Sequence, residues 1–275
     1  MSPFVFAASK TALITGGASG IGLAVARKCL NYGMKVLIAD NNDKLLAAAR
    51  QSLGDKIMTF QADVSCLGDW EQLKKQVDID LQGRVDLLVL NAGVQPSSGW
   101  EDPSQFRTIF DVNLFGVVNG IATFLSSVTA NTGSAIVITG SKQGITNPPG
   151  NPAYNASKSA VKTIAEQLSY DLRGSRTSVY FLVPGWTFTG LGRSEAVLAG
   201  EKPAAAWTSQ QVADYLEEKM NNDEFYIICP DNEVTEEMDG KRILWSAEDM
   251  IQRRPPLSRW RDEFKEEFAR RGSSQ

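Results

Sequence analysis

Short apolar runs alternate with longer amphipathic stretches along most of the chain. Thr11-Ala-Leu-Ile-Thr15, Lys35-Val-Leu-Ile-Ala-Asp40, Lys56 to Ala62, Val85-Asp-Leu-Leu-Val-Leu90, Ser134 to Thr139 and Ser178 to Val183 read as six buried strands. Between them lie stretches with helical spacing: Ile21 to Tyr32, Asp43 to Leu53, Gly68 to Leu81, Asp102 to Ala130 and about Ala153 to Arg173. Gly33 and Gly54 stand where the first two helices should stop. Strands alternating with helices on this scale predict an α/β fold, a doubly wound parallel sheet of Rossmann type with helices on both faces. Right-handed crossovers then give strand order 3-2-1-4-5-6-7, with Phe225 to Cys229 as the seventh strand.

After Gly185 the period is lost. Residues 186–210, rich in Gly, Thr and Ala, read as a loop over a substrate site. Ser209 to Met220 resumes a helix, and 231–275 is a charged C-terminal extension. Within it, Trp260, Phe264 and Phe268 are spaced by four and predict one helix face. The whole chain, 1–275, is expected to form a single domain, with about 10–185 as its core.

Composition narrows the chemistry. The chain has 275 residues, 43% hydrophobic, with net charge −4 and no basic stripe, so nucleic acid is not an expected partner. No apolar stretch is read as reaching transmembrane length, and the N-terminus lacks the basic start of a signal peptide. The three cysteines form no pair motif, which fits buried free thiols in a reducing, cytoplasmic setting. There is no histidine at all. That removes the Ser-His-Asp triad and His-containing metal sites, and no metal is expected. Any general acid or base must be Tyr, Lys, Asp, Glu or Cys.

The stretch Ser141 to Lys158 answers that requirement. Ser141 follows the fifth strand, at a carboxyl end where open α/β sheets place ligands. Tyr154 and Lys158 are one turn apart on a single helix face. A phenol titrates near ~10, and a neighbouring ammonium lowers it by stabilising the phenolate. Upstream, Gly16-x-x-x-Gly20-x-Gly22 sits between a strand and a helix, where a close backbone and free N–H groups favour pyrophosphate. Its spacing differs from the generic G-x-G-x-x-G. Asp40, at the end of the second strand, suits both ribose hydroxyls of an adenosine, or else caps the next helix. Asn113 is out of place in mid-helix, and Asn91-Ala-Gly93 follows the fourth strand.

In order, Thr15-Gly-Gly-Ala-Ser-Gly-Ile-Gly22, Asp63, Asn91-Ala-Gly93, Asn113, Ser141, Tyr154-Asn-Ala-Ser-Lys158 and Pro184-Gly185 resemble the short-chain dehydrogenase/reductase family over about residues 10 to 230. The resemblance implies an NAD(H)-dependent oxidoreductase interconverting a secondary alcohol and a ketone. Tyr154 would be the general acid/base, Lys158 would lower its pKa and hold ribose hydroxyls, Ser141 would bind the substrate oxygen, and Asn113 would hold a water. Gly16, Ser19, Gly20, Ile21, Gly22, Asp40, Asp63, Val64, Asn91, Ala92, Gly93, Pro184, Gly185, Thr187 and Thr189 would bind the cofactor with Tyr154 and Lys158. Asp40 favours NAD; NADP, with Lys44 reaching a 2′-phosphate, is the alternative, as is a scaffold repurposed as a cyclase or redox sensor. Gln143 and Trp186, with Val94, Gln95, Leu191 and Trp207, are candidates for lining the substrate pocket, although Trp186 and Trp207 serve equally as packing residues. Family members usually pair their two long helices, which implies a homodimer or homotetramer; the charged extension departs from the family's usual ending and would cover the cleft or add to such an interface.

Overall fold

The computed structural model describes residues 5–191 and 201–273. Seven parallel strands form its central sheet. They are β1 (Thr11–Thr15), β2 (Lys35–Asp40), β3 (Ile57–Gln61), β4 (Leu87–Leu90), β5 (Ser134–Thr139), β6 (Thr177–Val183) and, after a two-stranded ribbon of β7 (Thr187–Phe188) with β8 (Trp207–Thr208), β9 (Tyr226–Ile228). The order is β3-β2-β1-β4-β5-β6-β9, as the alternation predicts. The seventh position is taken by the strand expected near Phe225 to Cys229.

Strand residues feed the two faces of the sheet in turn. Ile14, Ile38, Val89 and Val137 pack with α1 (Gly20–Asn31), α2 (Asp43–Leu53) and α8 (Ser209–Asn221). Their neighbours Leu13, Leu37, Leu88 and Ile136 pack against α3 (Leu67–Asp80), α5 (Gly116–Thr129) and α7 (Pro152–Asp171). With both faces covered, β1 and β5 are buried along their whole length, which is why they read as continuous apolar runs.

The long helix expected over Asp102 to Ala130 is one continuous run with a change of pitch: α4 (Pro103–Phe110), a π turn (Asp111–Phe115) and α5. This run, Pro103–Thr129, is long and apolar enough by composition to cross a membrane, so the reading that no stretch reaches that length is corrected. Its apolar character has a packing cause: Val117, Phe124 and Val128 are buried against the sheet.

One expectation about the C-terminal half fails. Trp260, Phe264 and Phe268 do not share a helix. Pro255-Pro256 and the left-handed Leu257 (φ 58°) break the run into 3-10 turns at Ser258–Trp260 and Asp262–Phe264, and only Phe268 lies on α10 (Lys265–Ser273), edge-on to Trp245. The loop 186–210 is tied at both ends, by the β7–β8 ribbon; its middle, 192–200, lies outside the described residues. Trp207 meets Tyr215 of α8 edge-on and packs on the core, so of its two readings packing holds.

Candidate active site

The carboxyl ends of the strands open into a cleft of about 1040 Å³. It runs from Asp40 and the glycine turn at one end to Ser141, Gln143 and Trp186 at the other. Every residue expected to bind cofactor lines it except Gly22, which lies one layer beneath.

Gly16 has a left-handed φ of 60°, and a Cβ there would sit 2.8 Å from the Ala92 Cα. A Cβ on Gly22 would come within 2.2 Å of the Gly16 carbonyl oxygen. The turn therefore closes tightly only with glycine at both positions. Asn91 fixes the same turn from β4: its Nδ2 donates to the Thr15 and Gly16 carbonyls, both at 3.2 Å. Ser19 caps α1 without a side-chain bond, and the helix's first turn carries no acidic residue. Its N-terminal N–H groups thus face the cleft with a partial positive charge and no side-chain anion.

Asp40 is not the cap of α2; Asn42 is, accepting from the Leu45 N–H at 3.1 Å. The Asp40 carboxylate accepts from Ala18 N–H at 3.2 Å and from Asn42 N–H at 3.1 Å, one bond on each oxygen. Both oxygens keep acceptor capacity toward the cleft. Asp63 accepts from the Ser65 N–H and hydroxyl, and the Val64 carbonyl takes the Trp70 indole N–H at 2.8 Å, so the third strand's end is fixed as well.

At the other end, α7 starts at Pro152, capped by Asn151. Its buried stripe, Tyr154, Lys158, Val161, Ala165 and Leu168, carries the reactive pair and the anchoring residues on one face. Packing therefore aims the phenol and the amine at the strand ends. The Ser141 hydroxyl sits beside the Tyr154 phenol in the cleft. Burial pushes the phenol's pKa up, and the neighbouring Ser141 offsets part of this. Lys158 Nζ donates to the Thr139 carbonyl at 2.8 Å and lies 6.0 Å from the Tyr154 ring centre. Burial lowers its pKa to about 8.

Asn113 explains its odd place in the sequence. It sits on the π turn, fully buried, where the altered pitch turns its side chain inward. Its Oδ1 accepts from Val94 N–H at 2.8 Å, and its Nδ2 donates to the Val94 carbonyl at 3.0 Å and to Ser157 Oγ at 3.1 Å. It clamps the Gly93-Val94 segment to α7. Of its two readings, a solvent-facing Asn does not hold.

Gln143 opens the short α6 (Gln143–Thr146), donates its backbone N–H to Ser141 Oγ at 3.2 Å, and meets Gln95 side chain to side chain at 3.3 Å. Trp186 and Leu191 line the cleft and are 46% and 38% exposed, so they are open to a ligand. Two residues were not singled out in the sequence. Asn151 lines the cleft and, with Ser98, ties the 93–99 loop to the start of α7; its Asn-Pro pair before a helix is a legible cap signal. Lys142, beside Ser141, carries no local signal and pairs with the distant Asp239.

A doubly wound sheet with a dinucleotide-sized cleft, a glycine turn under one end and a Ser–Tyr–Lys group under the other defines a nicotinamide-dependent oxidoreductase. The comparisons agree. A family model for short chain dehydrogenases matches residues 10–197. The chain is 32% identical over 186 residues to oxidoreductase asL5 of Sarocladium schorii, covering 67% of this chain and 74% of that protein. It is also 32% identical over 193 residues to 3beta-hydroxysteroid dehydrogenase 2 of Eggerthella lenta, covering 67% and 74%. A short chain dehydrogenase/reductase from Burkholderia phymatum, solved in complex with NAD, superposes with TM-score 0.80 at 29% identity, covering 92% of this chain and 98% of that one. The chain belongs to the short-chain dehydrogenase/reductase family.

Proposed function

We propose that the protein is an NAD(H)-dependent oxidoreductase that interconverts a secondary alcohol and a ketone. The observation that carries this reading is the Tyr154–Ser141 hydroxyl pair, buried at the strand ends with Lys158 behind it and no histidine to compete. The cradle fits a dinucleotide: the crowding around Gly16 and Gly22 leaves the backbone bare, and the α1 N-terminus is free of acidic side chains. Gly16, Ser19, Gly20 and Ile21 would hold the pyrophosphate, Asp40 the adenosine ribose, Asp63 and Val64 the adenine, and Asn91 to Gly93 with Lys158 the second ribose. Pro184, Gly185, Thr187 and Thr189 would take the carboxamide end. Bound there, the cofactor supplies the hydride acceptor or donor.

The chain's own residues supply the proton and the positioning. In the oxidation direction the Tyr154 oxygen takes the hydroxyl proton of the substrate; in reduction it gives one to the carbonyl oxygen. The Ser141 hydroxyl donates to that oxygen and steadies the charge that develops on it. The Lys158 ammonium, held by the Thr139 carbonyl 6.0 Å from the Tyr154 ring centre, would favour the ionised phenol by its charge, which burial disfavours. Gln143, Gln95, Trp186 and Leu191 surround the space above the reacting oxygen.

Asp40 supports NAD over NADP, because its carboxylate repels a 2′-phosphate. The exposed side of the α4–α5 run, with Phe115 51% exposed, together with Tyr170 of α7 at 63%, supports pairing of two chains through these helices. The free cysteines support a reducing, cytoplasmic compartment. The test is a panel of secondary alcohols and ketones followed at the NADH absorbance. Tight NADH binding with no hydride transfer to any of them would defeat the reading.

A further inference from the structure

The C-terminal extension reaches the active site from behind. Its helix α9 (Glu236–Ile251) packs on α6, the turn that follows Ser141. Asp239, in the first turn of α9, is 2% exposed, and its Oδ2 lies 2.5 Å from Lys142 Nζ. Neither atom meets hydrogen-bond geometry with any partner among the described residues, so the contact is one of paired charge. Arg242 Nη1 approaches the other Asp239 oxygen at 3.7 Å. Asp231, at the start of the extension, completes the group. Its Oδ2 is 3.7 Å from Lys142 Nζ and accepts from the Trp186 N–H at 3.4 Å, while its Oδ1 accepts from Glu233 and Val234 N–H.

Lys142 is the link. Its backbone follows Ser141, and its N–H reaches the Pro184 carbonyl at 3.4 Å. Its side chain crosses Gly185 so closely that a Cβ there would come 2.8 Å from Nζ. One ammonium thus bridges the two segments that face the reacting end of the cleft, Ser141–Gln143 and Pro184–Trp186, and both carboxylates that hold it come from the extension. A buried charge of this kind has one low-energy position, because any displacement leaves an unpaired carboxylate in a dry site.

We infer that Asp239, through Lys142 and with Asp231, is a positioning residue for the reaction, and that the extension is a working part of the active site. It sets where Ser141 presents its hydroxyl and where Trp186 bounds the substrate. The adenosine end of the cleft, at the glycine turn and Asp40, lies beyond its reach. The inference rests on the proposed alcohol–ketone chemistry only for its kinetic readout.

The experiment uses the full chain with Asp239→Asn, Lys142→Met and Asp239→Glu, and with Glu237→Gln as a control on the exposed side of α9. Hydrogen exchange, which needs no substrate, is followed in peptides covering 140–147 and 184–188. Asp239→Asn and Lys142→Met are expected to exchange at least about tenfold faster there and unchanged in β1 to β3; Glu237→Gln should match the parent chain. For any substrate the parent turns over, a shift of about 1 Å at Ser141 predicts a loss of about 10²-fold in kcat/KM. The Kd for NADH should rise by less than about tenfold, because of the proposed cofactor contacts only Pro184, Gly185 and Thr187 lie in the braced segment, and Asp239→Glu should recover part of the loss in kcat/KM. Parent-like exchange and kcat/KM in Asp239→Asn and Lys142→Met overturn the inference. Loss of the whole fold in both overturns it too, since the pair would then be a global stabiliser. A parent chain that binds NADH and turns over nothing defeats the proposed chemistry and leaves the exchange result standing.

Discussion

The two ends of the cleft are built from different materials. At the nucleotide end, contacts come from backbone and small residues within the first hundred positions: the glycine turn, the bare start of α1, and Asn91 bonded to two carbonyls of that turn. At the reactive end, they come from side chains on four segments scattered through the chain, namely Asn113 on the π turn, Ser141, the α7 pair, and the 184–191 stretch braced by the extension. A ligand common to a family needs a fixed backbone shape. A substrate particular to one protein is met by side chains that neighbouring segments hold in place. Changes at the first end should therefore alter binding, and changes at the second should alter turnover.

The strongest test of that division is Tyr154→Phe. It removes the phenol hydroxyl proposed to exchange a proton with the substrate oxygen beside Ser141. The expected loss in kcat is about 10³-fold, within the range for a general acid/base. The NADH Kd should hold within about twofold. A comparable loss of NADH binding would erase the distinction between the ends. Gly22→Ala is its mirror. The added methyl meets the Gly16 carbonyl at 2.2 Å, so the turn must open. NADH should bind about 10²-fold more weakly in calorimetry, with Tyr154 and Ser141 undisturbed.

Much of this was legible along the chain, for a physical reason. Strand burial, the glycine turn and the Tyr154–Lys158 spacing are local patterns, set by periods of two or 3.6 residues or by backbone sterics. The sheet order followed from them, and so did the place of the glycine turn at the strand ends. What was not legible depends on contacts between distant segments or on breaks in a period. Asn113 looked misplaced because a π turn shifts the register of its helix. The spacing of Trp260, Phe264 and Phe268 matched a helix that Pro255, Pro256 and Leu257 prevent. Lys142 and Asp239 meet only because α9 folds back on α6, and no local signal encodes that.

Lys158 offers a test by pH at the reactive end. Burial lowers its folded pKa to about 8, against an ordinary 10.5. Between these values the unfolded chain binds more protons than the folded one, so stability contributed by this group rises with pH. Below about pH 8 both states are protonated and the burial cost is fully present. From pH 8 to about 9.5 the parent chain should gain about 2 kcal/mol relative to Lys158→Met, read from urea unfolding of both. Tyr154, whose pKa burial raises, acts in the opposite sense only above about pH 10, outside that window. A flat difference between the two chains would place Lys158 in contact with solvent.

The smallest effect expected is at Asp40, and it sharpens the comparison most, because Asp40 is a charged side chain bonded to the glycine turn itself, at an end built largely of backbone. Its carboxylate has two tasks. It holds the glycine turn through Ala18 N–H, and it lines the cleft at the proposed position of the adenosine ribose. Asp40→Ala removes both, so both dinucleotides should lose the part that depends on the turn. Only NADPH regains something, the repulsion relieved between a carboxylate and a 2′-phosphate. The ratio of NADPH to NADH dissociation constants should fall about tenfold, worth about 1.4 kcal/mol, while kcat at saturating NADH changes little. Asp40→Asn separates the tasks: its amide oxygen still accepts from Ala18 N–H, and its charge is gone. If Asp40→Asn moves the ratio as far as Asp40→Ala, charge alone sets the preference. If only Asp40→Ala moves it, the turn's shape does, and the nucleotide end is backbone-built throughout.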